Sequence, residues 1–117
     1  MNSNLNPEVH FDSEKLKNRI GNNDTLYQQF ITLIKKTLFG EISNSVIELE
    51  KCIVSEDLVQ LRIVAHKIKG ISLSSSFNRL AYLSSSLEQE TTTNKEVIQH
   101  LLQDITSEVI LLKEIVV

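Results

Sequence analysis

The chain has little of what small domains use to brace or punctuate a fold. Its 117 residues include one cysteine, one proline, three glycines, six Phe or Tyr residues and no tryptophan. A single cysteine, Cys52, excludes an internal disulfide and a cysteine-rich metal site, and it fits a reducing compartment. Scarce proline and glycine leave few positions at which a helix must stop. No apolar run is long enough to span a bilayer, and Met1–His10 (MNSNLNPEVH) is polar and unlike a signal peptide. A cytoplasmic location without a membrane partner is therefore expected. No basic run stands out and the formal net charge is -3, which argues against nucleic acid as a partner.

What is present favours helices. Gln, Glu, Lys, Leu and Ile dominate, and 41% of the residues are apolar, enough for one domain with one core. Residues 1–10 show no periodicity and read as a flexible tail, leaving 11–117 as a single helical domain. In "FDSEKLKNRIG", Asp12 has the position of an N-cap, Phe11 and Leu16 have the spacing of a hydrophobic staple, and Gly21 suits the stop. A short helix near 13–20 follows.

After "GNND", apolar residues recur at Leu26, Phe30, Leu33, Ile34, Leu38, Ile42, Val46, Leu49 and Ile53, one stripe of about seven turns. Gly40 lies inside this stripe and is a candidate bend. "SEDL" offers Ser55 as a cap, with Glu56 and Asp57 in the first turn of a helix over 56–74. A fourth helix carries Phe77, Leu80, Ala81, Leu83, Ser84 and Leu87. "ETTTN" breaks the pattern, and a last stripe runs through Val97, Ile98, Leu101, Leu102, Ile105, Val109 and Leu112. Four long amphipathic helices with short connections, preceded by one short helix, predict an all-α fold: an antiparallel four-helix bundle with an additional N-terminal helix.

The stretch "AHKIKGISLSSSFNRL" holds the most informative chemistry. On a helical wheel with His66 at zero, Leu61, Val64, Ile68, Ile71 and Ser75 fall at about 140–220°, the core face. His66 points the other way. Val59, Ile63, Gly70 and Leu73 lie within about 60° of it, while Arg62 and Lys69 lie near 320° and 300°. An imidazole keeps a free lone pair over much of the physiological pH range and is then a nucleophile. If it attacks a phosphoryl group, Lys69 can offset charge on the phosphoryl oxygens. Gly70, lacking a side chain, lets a partner's reactive centre approach. Val59, Ile63 and Leu73, with Arg62 and Lys67 beside them, form a candidate docking patch. A plainer reading of the same residues treats His66, Lys67 and Lys69 as solvated surface groups and Gly70 as a site of close helix packing.

His66-Lys67-Ile68-Lys69-Gly70 resembles the H-x-L-K-G signature of histidine-containing phosphotransfer (HPt) domains, which relay phosphoryl groups in multistep two-component signalling. Leu80, Leu83, Leu87 and Glu88 fall at the distances of the family's following apolar positions and L-E pair. "IGNNDTLYQQFITLI" and "LEKCIVSEDLVQLRIVAH" also resemble its layout, so the similarity covers about residue 11 to the end. The chain departs from the pattern at Ser74-Ser75-Ser76, where Asn-Leu-Gly is usual, and at Phe77, where a small residue is usual.

The resemblance implies that His66 accepts a phosphoryl group from a receiver aspartate and passes it to another. The partners it implies are receiver domains of response regulators and of hybrid sensor histidine kinases. Mg²⁺ is then expected on the receiver, with no metal or other cofactor on this chain. With no glycine-rich nucleotide loop, the chain is expected to be a phosphoryl carrier and not an ATP-dependent kinase. The alternative is a helical module that binds and regulates a receiver or sensor kinase without taking phosphate. His10, in the expected tail, and His100, on the last helix, lack the Lys-Gly that follows His66, and no Glu-x-x-His pair of a di-iron type occurs. Cys52 reads as a small core residue, and the serines at 74–76 and 84–86 as small residues at turns and close helix contacts.

Overall fold

The computed structural model describes residues 5–90 and 94–116, and every regular element among them is helical. The first, α1 (Ser13–Arg19), is capped by Asp12, whose side chain accepts from the Lys15 amide. It ends where Gly21 and Asn22 both turn left-handed, at φ +70° and +56°. The glycine thus acts as the stop its position suggested.

Asn23 caps α2 (Asp24–Thr37) by accepting from the Leu26 amide. α2 runs without a break through a single π-helical turn, Leu38–Ile42, into α3 (Ser43–Ser55). The candidate bend at Gly40 is this π turn. Its ring opening leaves the Leu38 carbonyl available, and the Ser43 hydroxyl donates to it at 2.8 Å. The apolar stripe read from the sequence is buried at Ile34, Leu38, Ile42, Val46 and Leu49 and half-buried at Ile53, and Ile31, outside that stripe, is buried beside it. Leu26, Phe30 and Leu33 are exposed instead. They lie on one flank of α2, turned away from Ile31 and Ile34, which are buried in the same stretch.

The start of α4 (Leu58–Ser74) corrects the expected cap. Asp57, and not Ser55, accepts from the Gln60 amide, while the Ser55 hydroxyl donates back to the Lys51 carbonyl as the last residue of α3. Glu56 is not in a first turn either; it holds the left-handed position that ends α3, at φ +59°. A cap of this kind is worth about 1 kcal/mol.

α4 closes with Ser75 and Ser76, and α5 (Asn78–Gln89) begins directly after Phe77. α6 (Lys95–Ile115) starts behind Asn94, which accepts from the Glu96 amide. The expected break at "ETTTN" falls partly on residues 91–93, outside the described residues.

The core lies where α3, α4, α5 and α6 meet, each packed on the next and α6 back on α3. Leu49, Leu61, Ile68, Leu80, Leu87, Ile105 and Leu112 fill it and are all but sealed from solvent. The tightest pairing is α4 with α5, and buried serines occur on both helices and in the turn between them: Ser72, Ser75, Ser76, Ser84 and Ser85. Small side chains let two helix backbones approach closely, which holds α5 near the exposed face of α4. Cys52 is buried, and its thiol is pushed above its ordinary range by that burial, with Asp57 and Glu48 adding to the effect.

The segment read as a flexible tail is described from residue 5, and that part is fastened. The Val9 carbonyl accepts from the Arg79 amide at 2.9 Å, and the Arg79 guanidinium donates to the Pro7 carbonyl at 3.4 Å. Phe11 packs edge-on against Phe77, with ring centroids 5.7 Å apart. The absence of periodicity marked a non-helical segment, and specific hydrogen bonds hold it in place. No helix among the described residues is long and apolar enough to cross a membrane.

Candidate functional site

α4 presents opposite faces with opposite chemistry. Leu61, Val64, Ile68 and Ser75 are buried, as the wheel required, with Ala65 buried beside them and Ile71 half-buried. On the far side, Val59, Ile63, His66, Gly70 and Leu73 are all exposed. Their spacing of four, three, four and three residues makes one straight seam along the helix. The seam is five positions long with the imidazole at its centre.

His66 is 71% exposed, and its ring is fixed on one side only. Nδ1 lies 2.6 Å from Oε2 of Glu88, which α5 carries across from α4. The other ring nitrogen, Nε2, has no hydrogen-bond partner among the described residues. Oε1 of the same carboxylate faces the Lys69 ammonium at 3.5 Å. Glu88 therefore touches His66 with one oxygen and Lys69 with the other. Lys69 and Glu88 are both partly buried, so this contact is less screened than a fully exposed pair.

Lys67 leans the opposite way and pairs with Glu41 of the π turn, 3.5 Å away. The Arg62 guanidinium is turned toward α5, where it donates to the Glu90 carbonyl at 3.1 Å. A cation on the last carbonyls of a helix is electrostatically favourable, so Arg62 also closes α5. A Cβ built on Gly70 meets nothing within 4 Å. Helix packing is therefore not what requires glycine at this position. Its surface is open beside His66.

Glu88 and Glu41 belong to the site but were not assigned a place in it from the sequence. Glu88 had a signal, the L-E pair following the signature; its role emerges only when α5 lies against α4. Glu41 had none, because its reach depends on the phase shift of the π turn.

His10 is the other histidine whose placement differs from expectation. Its Nδ1 lies 2.8 and 3.0 Å from the two carboxylate oxygens of Glu108. The histidine is 41% exposed and the glutamate 5%. His100 lines a shallow groove between α3 and α6 with Glu50, Ile53, Gln103 and Thr106. No cluster of three or more metal-ligating side chains occurs among the described residues.

No family model, no curated protein and no solved structure matches the chain.

Proposed function

We propose that the chain is a histidine-containing phosphotransfer domain in which His66 carries a phosphoryl group between receiver aspartates. The observation that carries this reading is His66 itself: exposed, held at Nδ1, unpartnered at Nε2, and beside the open surface of Gly70. A nucleophile in that arrangement is reachable by a large partner, which a relay between proteins requires. Lys69 is within one turn, able to face phosphoryl oxygens as their charge changes. Val59, Ile63 and Leu73 give the receiver an apolar surface on both sides of the reacting atom.

Two features of the fold support the same reading. The ring of α3, α4, α5 and α6, with the short α1 set against it through Leu16, fits the four-helix bundle plus N-terminal helix of that family. Ser76 stands where the family customarily has glycine, and its backbone is left-handed at φ +60°. A glycine preference at that position has this physical cause. Ser76 meets the demand at a cost, with the turn held by the Asp12 amide on the Ser76 carbonyl and by Arg19 on the Ser74 carbonyl. Phe77, at a position usually small, is sealed into the core under Phe11.

The chain acts in this reading as a cytoplasmic carrier, with Mg²⁺ supplied on the receiver and no kinase activity of its own. The test is a panel of receiver domains bearing labelled aspartyl phosphate, mixed in Mg²⁺ with wild type and with His66→Gln. Acid-labile, alkali-stable label on wild type alone supports the relay. Receiver binding without label on either protein replaces it with a regulatory module that takes no phosphate.

A further inference from the structure

The groove between α5 and α6 is filled along one half and open along the other. In the filled half the N-terminal segment bridges the two helices. On α5, Arg79 donates its amide to the Val9 carbonyl at 2.9 Å and its guanidinium to the Pro7 carbonyl at 3.4 Å. On α6, the buried carboxylate of Glu108 lies against Nδ1 of His10. Both walls then run on in register. Ser86 stands seven residues beyond Arg79 on α5, and Leu101 stands seven before Glu108 on α6. Each therefore lies about two turns, or about 10 Å, past the last contact of the segment. An extended chain of about three residues spans that distance.

The open half repeats the chemistry of the filled one. Its floor is Val97, exposed, and Leu101, half-buried, with Ser86, Glu96, His100 and Asp104 around them. Asp104 precedes Glu108 by one turn, on the same line of α6. The carboxylates of Glu96 and Asp104 have no hydrogen-bond or ion-pair partner among the described residues, and no lysine or arginine lines the groove. We propose that this open half docks an extended, basic segment of a partner protein, a role separate from the relay. The segment continues the course that residues 7–10 take in the filled half. Its apolar side chains cover Val97 and Leu101, and its lysine or arginine side chains meet Asp104 and Glu96. An acidic rim around an apolar floor also repels acidic segments, so the charge selects the partner. α6 packs on α5 and α3, diagonally across the ring from α4, so a segment docked here does not compete for the His66 face.

The probe is a short fluorescein-labelled peptide of alternating valine and lysine, which puts apolar and basic side chains on opposite faces of an extended chain. It is titrated into the full chain and read by anisotropy, beside the same peptide with glutamate for lysine. The lysine peptide is expected to bind and the glutamate peptide not to. Asp104→Lys should weaken binding on the order of tenfold. Glu114→Lys makes the same charge change on an exposed residue near the far end of α6, beyond the reach of screened charge, and should stay within about twofold. In ¹⁵N-resolved spectra the peptide should shift the amides of Ser86, Val97, Leu101 and Asp104 and leave His66 in place.

Equal weakening by Asp104→Lys and Glu114→Lys would reduce the effect to net charge and overturn the proposal. So would a glutamate peptide that binds as tightly as the lysine one, a shift map centred on α4, or no binding by either peptide. A nuclear Overhauser contact from residues 1–4 to Val97 in the free protein would give the groove to the chain's own N-terminus, and that overturns it too. None of these readouts uses a receiver or a phosphoryl donor, so failure here and failure of the relay reading are told apart.

Discussion

The molecule contains the same chemical pair twice, a histidine Nδ1 against a glutamate carboxylate, in two settings. At His10–Glu108 the carboxylate is buried, 5% exposed, and the histidine closes over it from the N-terminal segment. At His66–Glu88 the histidine is 71% exposed and the carboxylate, at 26%, supports it from beneath. A buried carboxylate without a partner is costly, so His10 serves Glu108 and fastens the segment to α6. An exposed imidazole needs no partner for stability, and the contact with Glu88 fixes its ring on the Nδ1 side. Which member of the pair is buried decides which is the tool.

That distinction can be broken by exchanging the outcomes. The largest expected effect is functional: His66→Gln abolishes phosphoryl acceptance while shifting stability by no more than about 0.5 kcal/mol in denaturant melts. Equal destabilisation by His66→Gln and His10→Ala would erase the contrast. Next in size, Gly70→Trp fills the open surface beside Nε2 and lowers the transfer rate by about 100-fold, the cost of a reacting centre held off by an ångström or so. The circular dichroism melt of that variant should stay close to wild type, because nothing within 4 Å of the new Cβ resists it.

Smaller and opposite in kind, His10→Ala leaves Glu108 without its one hydrogen-bonding partner among the described residues. It is expected to cost about 1–2 kcal/mol and to raise protease sensitivity ahead of α1, with transfer unchanged. The smallest effect is a gain: Ser76→Gly relieves the left-handed backbone and stabilises by about 0.5–1 kcal/mol. A loss there would mean that the weak Arg19 contact to the Ser76 hydroxyl, 3.4 Å long, outweighs the backbone.

Periodicity carried most of the fold. Most of the core face of α4 and, on the last helix, Ile98, Ile105, Val109 and Leu112 could be read from spacing, because burial recurs at 3.6 residues wherever a helix has neighbours on one side; Val97 is exposed and Leu101, Leu102 and Ile71 are half-buried. It failed where that condition failed. Leu26, Phe30 and Leu33 continue the pattern of α2 on one flank, but the flank that meets the core carries Ile31 and Ile34, and periodicity does not say which edge of a broad apolar face is covered. Ser55 and Asp57 are both good caps, and the choice between them depended on Glu56 taking a left-handed turn that no composition rule demands of glutamate.

The site was legible in part for the same reason. His66, Lys69 and Gly70 lie on one helix, where spacing alone places them. Glu88 lies 22 residues further on, and its contact with His66 exists only because α5 packs closely on α4. Lys67 finds Glu41 through a π turn, whose extra residue per turn rotates everything after it. Contacts between helices, unlike positions along one, need the packing to be known.

The most direct test mixes one phosphorylated receiver, in Mg²⁺, with wild type, His66→Gln and His10→Ala in parallel, and follows label on each over time. The account predicts equal labelling of wild type and His10→Ala and none on His66→Gln. Label persisting on His66→Gln, or lost from His10→Ala while that protein remains folded, would contradict it.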